Sequence, residues 1–251
     1  MRITLSKNPA FQKDYGNRFW NPRFISARFR KFLFYSLTGC FLLSAAGTPA
    51  LGQEMAGHIK IFMCGDVMTG RGIDQVLPHP ADPEIYESYL KSARGYVKLA
   101  EEVNGPIQQP VSFAYIWGDA LEELDRAAPH VRLINLETSI TNSNDYWEGK
   151  GINYRMHPKN IASLTAAGIN ACSLSNNHVL DWGYAGLSET QESLKNVNIK
   201  TAGAGKNIAE AGAPAVFPVA GQSRVLVFAF GLTSSGIPLN WAAGQNRPGV
   251  N

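Results

Sequence analysis

The sequence predicts an α/β domain, on three observations. Short apolar runs rich in β-branched residues alternate with stretches of helical period, which is the pattern of a sheet joined by crossover helices. The composition, 45% hydrophobic and 17% charged in 251 residues, is that of an ordinary folded chain. Three of the apolar runs end in acidic, amide or imidazole side chains, where sheets of this kind gather ligands.

Taken in order, strands are expected over residues 59–64, 131–135, 171–175, 215–219 and 225–230, each a short run rich in apolar side chains. Helices are expected over 86–103, with Leu90, Val97 and Leu99 among charges; over 120–127, with Asp119 placed to cap it; over 160–167, entered after Pro158 and ended at Gly168; and over 186–197, with Leu187 and Leu194 on one stripe. Residues 72–83, 105–110 and 138–153 read as loops. Ala202-Gly203-Ala204-Gly205 lacks the spacing of a phosphate-binding loop and reads as a tight connection. Cys64 and Cys172 fall in expected strands and read as small buried apolar residues rather than a disulfide.

The charge is unevenly placed. Residues 1–52 carry eight Lys/Arg against Asp14 alone, a net of +7, whereas residues 53–251 carry fifteen Lys/Arg against nineteen acids, a net of −4. A nucleic-acid-binding domain would keep its basic residues on the folded part, so that class is disfavoured. Arg23, Arg28, Arg30 and Lys31 stand directly before an uncharged run of fifteen residues, 32–46, rich in Phe and Leu. A helix crossing a bilayer needs about 20 apolar residues, so the run reads as the hydrophobic part of an export signal. Ala50-Leu51-Gly52 then fits a cleavage site, leaving an exported domain over 53–251. An uncleaved membrane anchor and a lipidated Cys40 are the alternatives, in that order.

The three strand endings hold the candidate chemistry. They are Gly65-Asp66 with Arg71 beyond it, Asn135-Leu136-Glu137, and Ser175-Asn176-Asn177-His178 closed by Asp181. Neighbouring strands lie about 4.8 Å apart, a spacing that brings such groups within reach of one ion. Asp66, Glu137, Asn177 and His178 form a mixed oxygen and nitrogen set suited to Zn²⁺, Mn²⁺ or Mg²⁺. A pair of such ions would activate water and hold a phosphoryl group. Asp181, three residues after His178, is placed to orient its ring or to cap the following helix, and Asn135 is placed beside the ligands. Arg71 is placed either to bind an anionic group or to pair with a nearby acid, and Arg155 and His157 to approach the cleft.

On these motifs, together with Gly186-Leu187, Thr190, Ala202-Gly203-Ala204-Gly205 and Glu210-Ala211, the sequence resembles the bacterial capsule-synthesis CapA family, also called the poly-γ-glutamate synthesis family. The likeness covers about residues 59–251 and implies a metallophosphoesterase-like α/β/β/α sandwich with a metal cleft at the strand ends. It places Asp66, Glu137, Asn177 and His178 at the positions of the metal-binding motifs, with His178 also the catalytic group. It implies an exported or membrane-tethered capsule-synthesis protein, with a capsular polymer or a membrane-bound synthase complex as partner. The reaction, if there is one, is metal-dependent hydrolysis of a phosphoester type. The other expectation is a non-catalytic accessory or polymer-binding subunit. Family members carry further histidine segments beyond the point matching Asn251, so the chain is expected to be a fragment, with activity impaired accordingly.

Overall fold

A computed structural model describes residues 58–219 and 223–251. The expected leader, 1–52, lies outside the described residues. In chain order the elements are β1 (Ile61–Val67), α1 (Arg71–Val76), α2 (Arg94–Asn104), α3 (Ala120–Ala127), β2 (Val131–Leu136), β3 (Ser139–Ile140), β4 (Arg155–Met156), α4 (Ala162–Ala166), β5 (Ala171–Ser173), α5 (Gly183–Asn196), β6 (Lys200–Ala202), β7 (Ala204–Gly205), α6 (Ile208–Ala211), β8 (Ala215–Pro218), β9 (Arg224–Val227) and β10 (Gly249–Val250). Among the described residues no helix is long and apolar enough to cross a membrane.

Strands β1, β2, β5 and β6 form a parallel sheet in that order. Alternation along β2 explains how it is covered. Ile134 and Leu136, both fully buried, face a core shared with Leu124 of α3, Leu164 of α4, and Leu187 and Leu194 of α5. Val131 and Leu133 face the opposite side, where Ala215, Phe217, Val225 and Val227 of the antiparallel β8–β9 hairpin pack against them. The result is an α/β sandwich with helices on one face of a parallel sheet and a second, small β layer on the other. That cover stops short of β1, whose Ile61 and Met63 are 44% and 68% exposed.

Helix α5 shows why these residues choose this form. Gly183, Gly186, Leu187, Thr190 and Leu194 recur at helical spacing and are the residues it buries, while Glu189 and Glu192 stay off that stripe. Burying the two leucines contributes roughly 1.5–3 kcal/mol each. Cys64 pairs in register with Ile134, which pairs with Cys172, so the cysteines lie two strands apart. That is about 9.6 Å, beyond disulfide reach, and both are free.

Several boundaries differ from expectation. The helix expected over 86–103 begins only at Arg94, because residues 83–93 close as a loop through Ala93 N–H to Pro83 O (2.7 Å) and Ile85 N–H to Lys91 O (3.2 Å). Residues 72–76, expected as part of a loop, belong to α1, which packs Val76 and Ile73 against Val97 of α2. Residues 158–161 form a 3-10 turn running into the shorter α4, and Asp119 makes no side-chain cap. Strand β1 runs on to Val67, with a register shift between Cys64 and Asp66. Gly203, at φ +96°, separates β6 from β7 where a tight connection was expected.

Candidate functional site

The carboxyl ends of β1, β2 and β5 bring three polar endings to one edge of the sheet. Asp66 and Asn135 are register partners across β1 and β2. The irregularity at Gly65 re-aims Asp66, and Asn135 Nδ2 donates to Asp66 Oδ1 (2.8 Å) and to Glu137 Oε2 (3.3 Å). From beyond β5, Asn176 Nδ2 donates to Asn135 Oδ1 (3.1 Å) and to the Leu136 carbonyl (2.9 Å), while its own Oδ1 accepts from the His178 backbone N–H (3.0 Å). Two amides therefore tie the three strand ends together. His178 Nε2 lies 3.6 Å from Glu137 Oε1.

His178 is held from three sides. Asp181, fully buried, places Oδ2 2.6 Å from Nδ1 and accepts the Tyr154 backbone N–H at 2.7 Å. Tyr154 stacks on the imidazole. Lys150 Nζ is 2.9 Å from Nδ1, donates to the Ile152 carbonyl (3.1 Å) and forms an ion pair with Asp181 Oδ1. Trp241, buried and packed against Trp147 at 5.2 Å, lies beneath the ammonium.

The carboxylates are electrostatically coupled. Burial, a hydrogen bond with the Asp66 carboxyl and the Asp66 charge push Glu137 up to about 7. Hydrogen bonds from Glu137 and Asn135 hold Asp66 below its ordinary range. Two acids that cannot comfortably ionise together, one imidazole nitrogen beside them, and an oxygen-rich surround fit a hard or borderline divalent cation. The fit is that of a pair with a neighbour: among the described residues no three His, Cys, Asp or Glu side chains are grouped closely enough to hold an ion between them.

The structure thus brings Asp66, Asn135, Glu137, His178 and Asp181 together. It sorts the other expected residues differently. The Asn177 amide lies beside Gly236 and takes no part in the hydrogen-bonded cluster, whose amide is supplied by Asn176 instead. Arg155 is buried, its guanidinium 3.9 Å from the centre of the Trp182 ring and donating to the Ser143 and Asp82 carbonyls and to Asn144 Oδ1, contacts that tie loops together. His157 caps the 3-10 turn by accepting the Lys159 N–H. Arg71 pairs through Nε with the buried Glu87 (2.6 Å), so the structural alternative holds for that contact. Its guanidinium also lies between the Tyr96 and Tyr154 rings, at 4.8 and 4.7 Å, one aromatic ring from His178. Asp181 orients the ring rather than capping α5. Sequence reading missed Lys150 and Tyr154, which sit in a polar loop with no periodicity to betray them. Asn176 could have been found only by asking which residue of the Asn-Asn pair turns inward.

A parallel sheet with an acid, amide and imidazole cleft at its carboxyl edge is the architecture of the metallophosphoesterase-like class. Residues 60–251 match the profile of the bacterial capsule synthesis protein family PGA_cap, and the chain belongs to that family. It is 46% identical over 199 residues to a Mycobacterium tuberculosis protein, found in strains CDC 1551 / Oshkosh and H37Rv, named "Probable polyglutamine synthesis accessory protein"; the match covers 78% of this chain and 52% of the relative. An uncharacterized protein of Sinorhizobium fredii is 35% identical over 139 residues, covering 51% of this chain and 29% of its own. The chain spans about half the length of the mycobacterial relatives.

Proposed function

We propose that this chain acts as an accessory protein of bacterial capsule polymer synthesis, outside the cytoplasm, through a cation held in the cleft. The observation that carries the reading is the meeting of the Glu137 carboxyl with Asp66 on one side and His178 Nε2 on the other. Asp66 and Glu137 would hold the ion, of the Mn²⁺, Zn²⁺ or Mg²⁺ type, with His178 Nε2 beside them, 3.6 Å from Glu137, and Asn135 fixing the two carboxylates. Bound there, a divalent ion supplies charge neutralisation and Lewis acidity for a phosphoester or an anionic polymer. The net charge of −4 over residues 53–251 repels polyanions, which makes a cation the natural bridge to one. Asp181 holds the His178 ring in place, Tyr154 covers one face of it, and the ring is positioned to exchange a proton with a bound group.

Titrating the full chain with Mn²⁺, Zn²⁺ and Mg²⁺ by calorimetry and native mass spectrometry tests the reading. Binding of at least one of them, weakened by Asp66→Asn, is expected. No binding of any would sink it. A phosphodiester assay on the loaded protein then divides catalysis from a non-catalytic role. The non-catalytic reading is favoured by the pairwise grouping of the ligands and by the word accessory in the relatives' names. Export is tested by sequencing the N-terminus of the protein recovered from outside the cytoplasm, with Gln53 as the expected first residue.

A further inference from the structure

We propose that Arg71 and the apolar cavity beside it bind an amphipathic anion, a carboxylate or phosphate ester with an aliphatic tail, its head on the guanidinium and its tail between α1 and α2. The site requires no divalent ion and is separate from the cation-binding reading above.

Arg71 is a fixed cation with hydrogen-bond donors unused. It opens α1 at φ +51°, in the left-handed region that residues other than glycine seldom adopt, so the surrounding structure holds it there at a cost. Its Nε is bonded to Glu87, which is 1% exposed. The second oxygen of Glu87 accepts from the Tyr96 hydroxyl, which lies 2.9 Å from that of Tyr89, so this carboxylate is shared and does not grip the guanidinium with both oxygens. Among the described residues Nε is the one nitrogen of this guanidinium that finds an acceptor. Two other arginines show what a purely structural role uses. Arg132, shielded to the same degree, spends both Nη groups on the Ala167 and Leu124 carbonyls and Asp125, and Arg155 spends both of its own on Ser143, Asn144 and Asp82. Arg71 keeps the paired Nη donors that can take a carboxylate or phosphate through two bonds.

The space beside it is apolar. A cavity of about 290 Å³, at the small end of ligand pockets, is lined by Ile73 and Val76 of α1, Val97 of α2, and Ile107 and Ile116 beyond them, with Arg71 and Tyr96 in its wall. All of its lining comes from residues 68–116, and Arg71 alone among the lining residues is charged. An apolar cavity with a single cation in its wall selects a negative head joined to an apolar body. A bare inorganic anion would leave the apolar walls to water, and an uncharged tail would leave the Nη donors without an acceptor.

The test is calorimetry on the full chain in EDTA with octyl phosphate, octanoate, octanol, octyltrimethylammonium, inorganic phosphate and acetate. Saturable single-site binding of octyl phosphate or octanoate is expected, at least about tenfold tighter than octanol and than the matching bare anion. The tighter of the two identifies the head group. Ala100→Leu narrows the cavity from α2 without changing Arg71, and should weaken the octyl anion about tenfold. The pair Arg71→Asn with Glu87→Gln suits the left-handed backbone and leaves no unpaired buried charge; it should bind the octyl anion no better than octanol. No binding of either octyl anion, equal binding of octanol or octyltrimethylammonium, or an affinity unchanged in both variants overturns the proposal. Because EDTA is present throughout, such a failure leaves the cation-binding reading to its own titration.

Discussion

The ring of Tyr154 lies against the ring of His178 with centroids 3.8 Å apart and planes inclined by 20°. Stacking on one face and the Asp181 hydrogen bond at one edge leave the imidazole a single orientation. Tyr154→Ala should therefore cost about 1–3 kcal/mol of stability and free the ring, whereas Tyr154→Phe keeps the stack and should stay within about 0.5 kcal/mol of wild type. Urea denaturation measures the first effect and side-chain NMR of His178 the second. A Phe variant as unstable as the Ala variant would show that the ring contact is not the source of the stability.

Glu137 gives the cleft a pH dependence. Its ordinary value is 4.5, and in the folded chain it is pushed up to about 7. As pH rises between these values the unfolded chain releases the proton first, so the folded state binds more protons and stability falls across this window. Glu137→Gln should flatten stability between about pH 4.5 and 7. Under the proposed cation binding, affinity should run the other way, rising with pH as the competing proton leaves Glu137. Thermal melts at stepped pH, with and without Mn²⁺, measure both slopes, and a wild-type profile parallel to that of Glu137→Gln would contradict the coupling.

Asn135 is the joint of the cleft, giving two hydrogen bonds and taking one. Asn135→Ala removes all three and leaves Asn176 short of a partner in a buried setting. The expected loss is about 1–3 kcal/mol of stability. Cation affinity should fall at least about tenfold as the two acids lose their common donor. Chemical denaturation and calorimetry check the two effects separately, and an unaffected affinity would remove Asn135 from the site.

Gly70 is required for close approach. A Cβ built there would lie 2.9 Å from the Arg155 carbonyl oxygen and 3.0 Å from the Arg155 nitrogen, both backbone atoms that cannot swing aside. Gly70→Ala should cost about 1–3 kcal/mol and disturb the junction of β1 with α1. A differential scanning melt checks the cost, and a melting temperature equal to wild type would refute it.

The strand endings at Asp66, Glu137 and His178 were legible in the sequence because a parallel sheet carries its polar groups where apolar runs stop. The α/β class was legible for the same reason, through the contrast between the β2 run and the Leu187 and Leu194 stripe of α5. Other features depend on contacts that no local pattern encodes. The run 86–103 has helical composition throughout, yet Glu87 is drawn inward to Arg71 and Tyr96, and the chain closes a loop around it before α2 begins. Arg155 looked available to a ligand until the Trp182 ring and three oxygen acceptors claimed its guanidinium. Lys150 reads as one more surface lysine in a polar loop. Only the return of that loop, anchored by the pairing of β3 with β4, sets it against Asp181.

Asp66 and Asn135 stand 69 residues apart along the chain, and Asn135 and Asn176 stand 41 apart. Hydrogen bonds that join strand ends across such separations close long loops, the contacts a folding chain acquires most slowly. A nascent chain can thus build α5 or the β8–β9 hairpin early, from neighbours in sequence, while the cleft still does not exist. The hydrogen bonds that join Asp66, Asn135 and Asn176 would then be among the last the molecule gains on the way to its native state, and a stringent reporter that folding has finished.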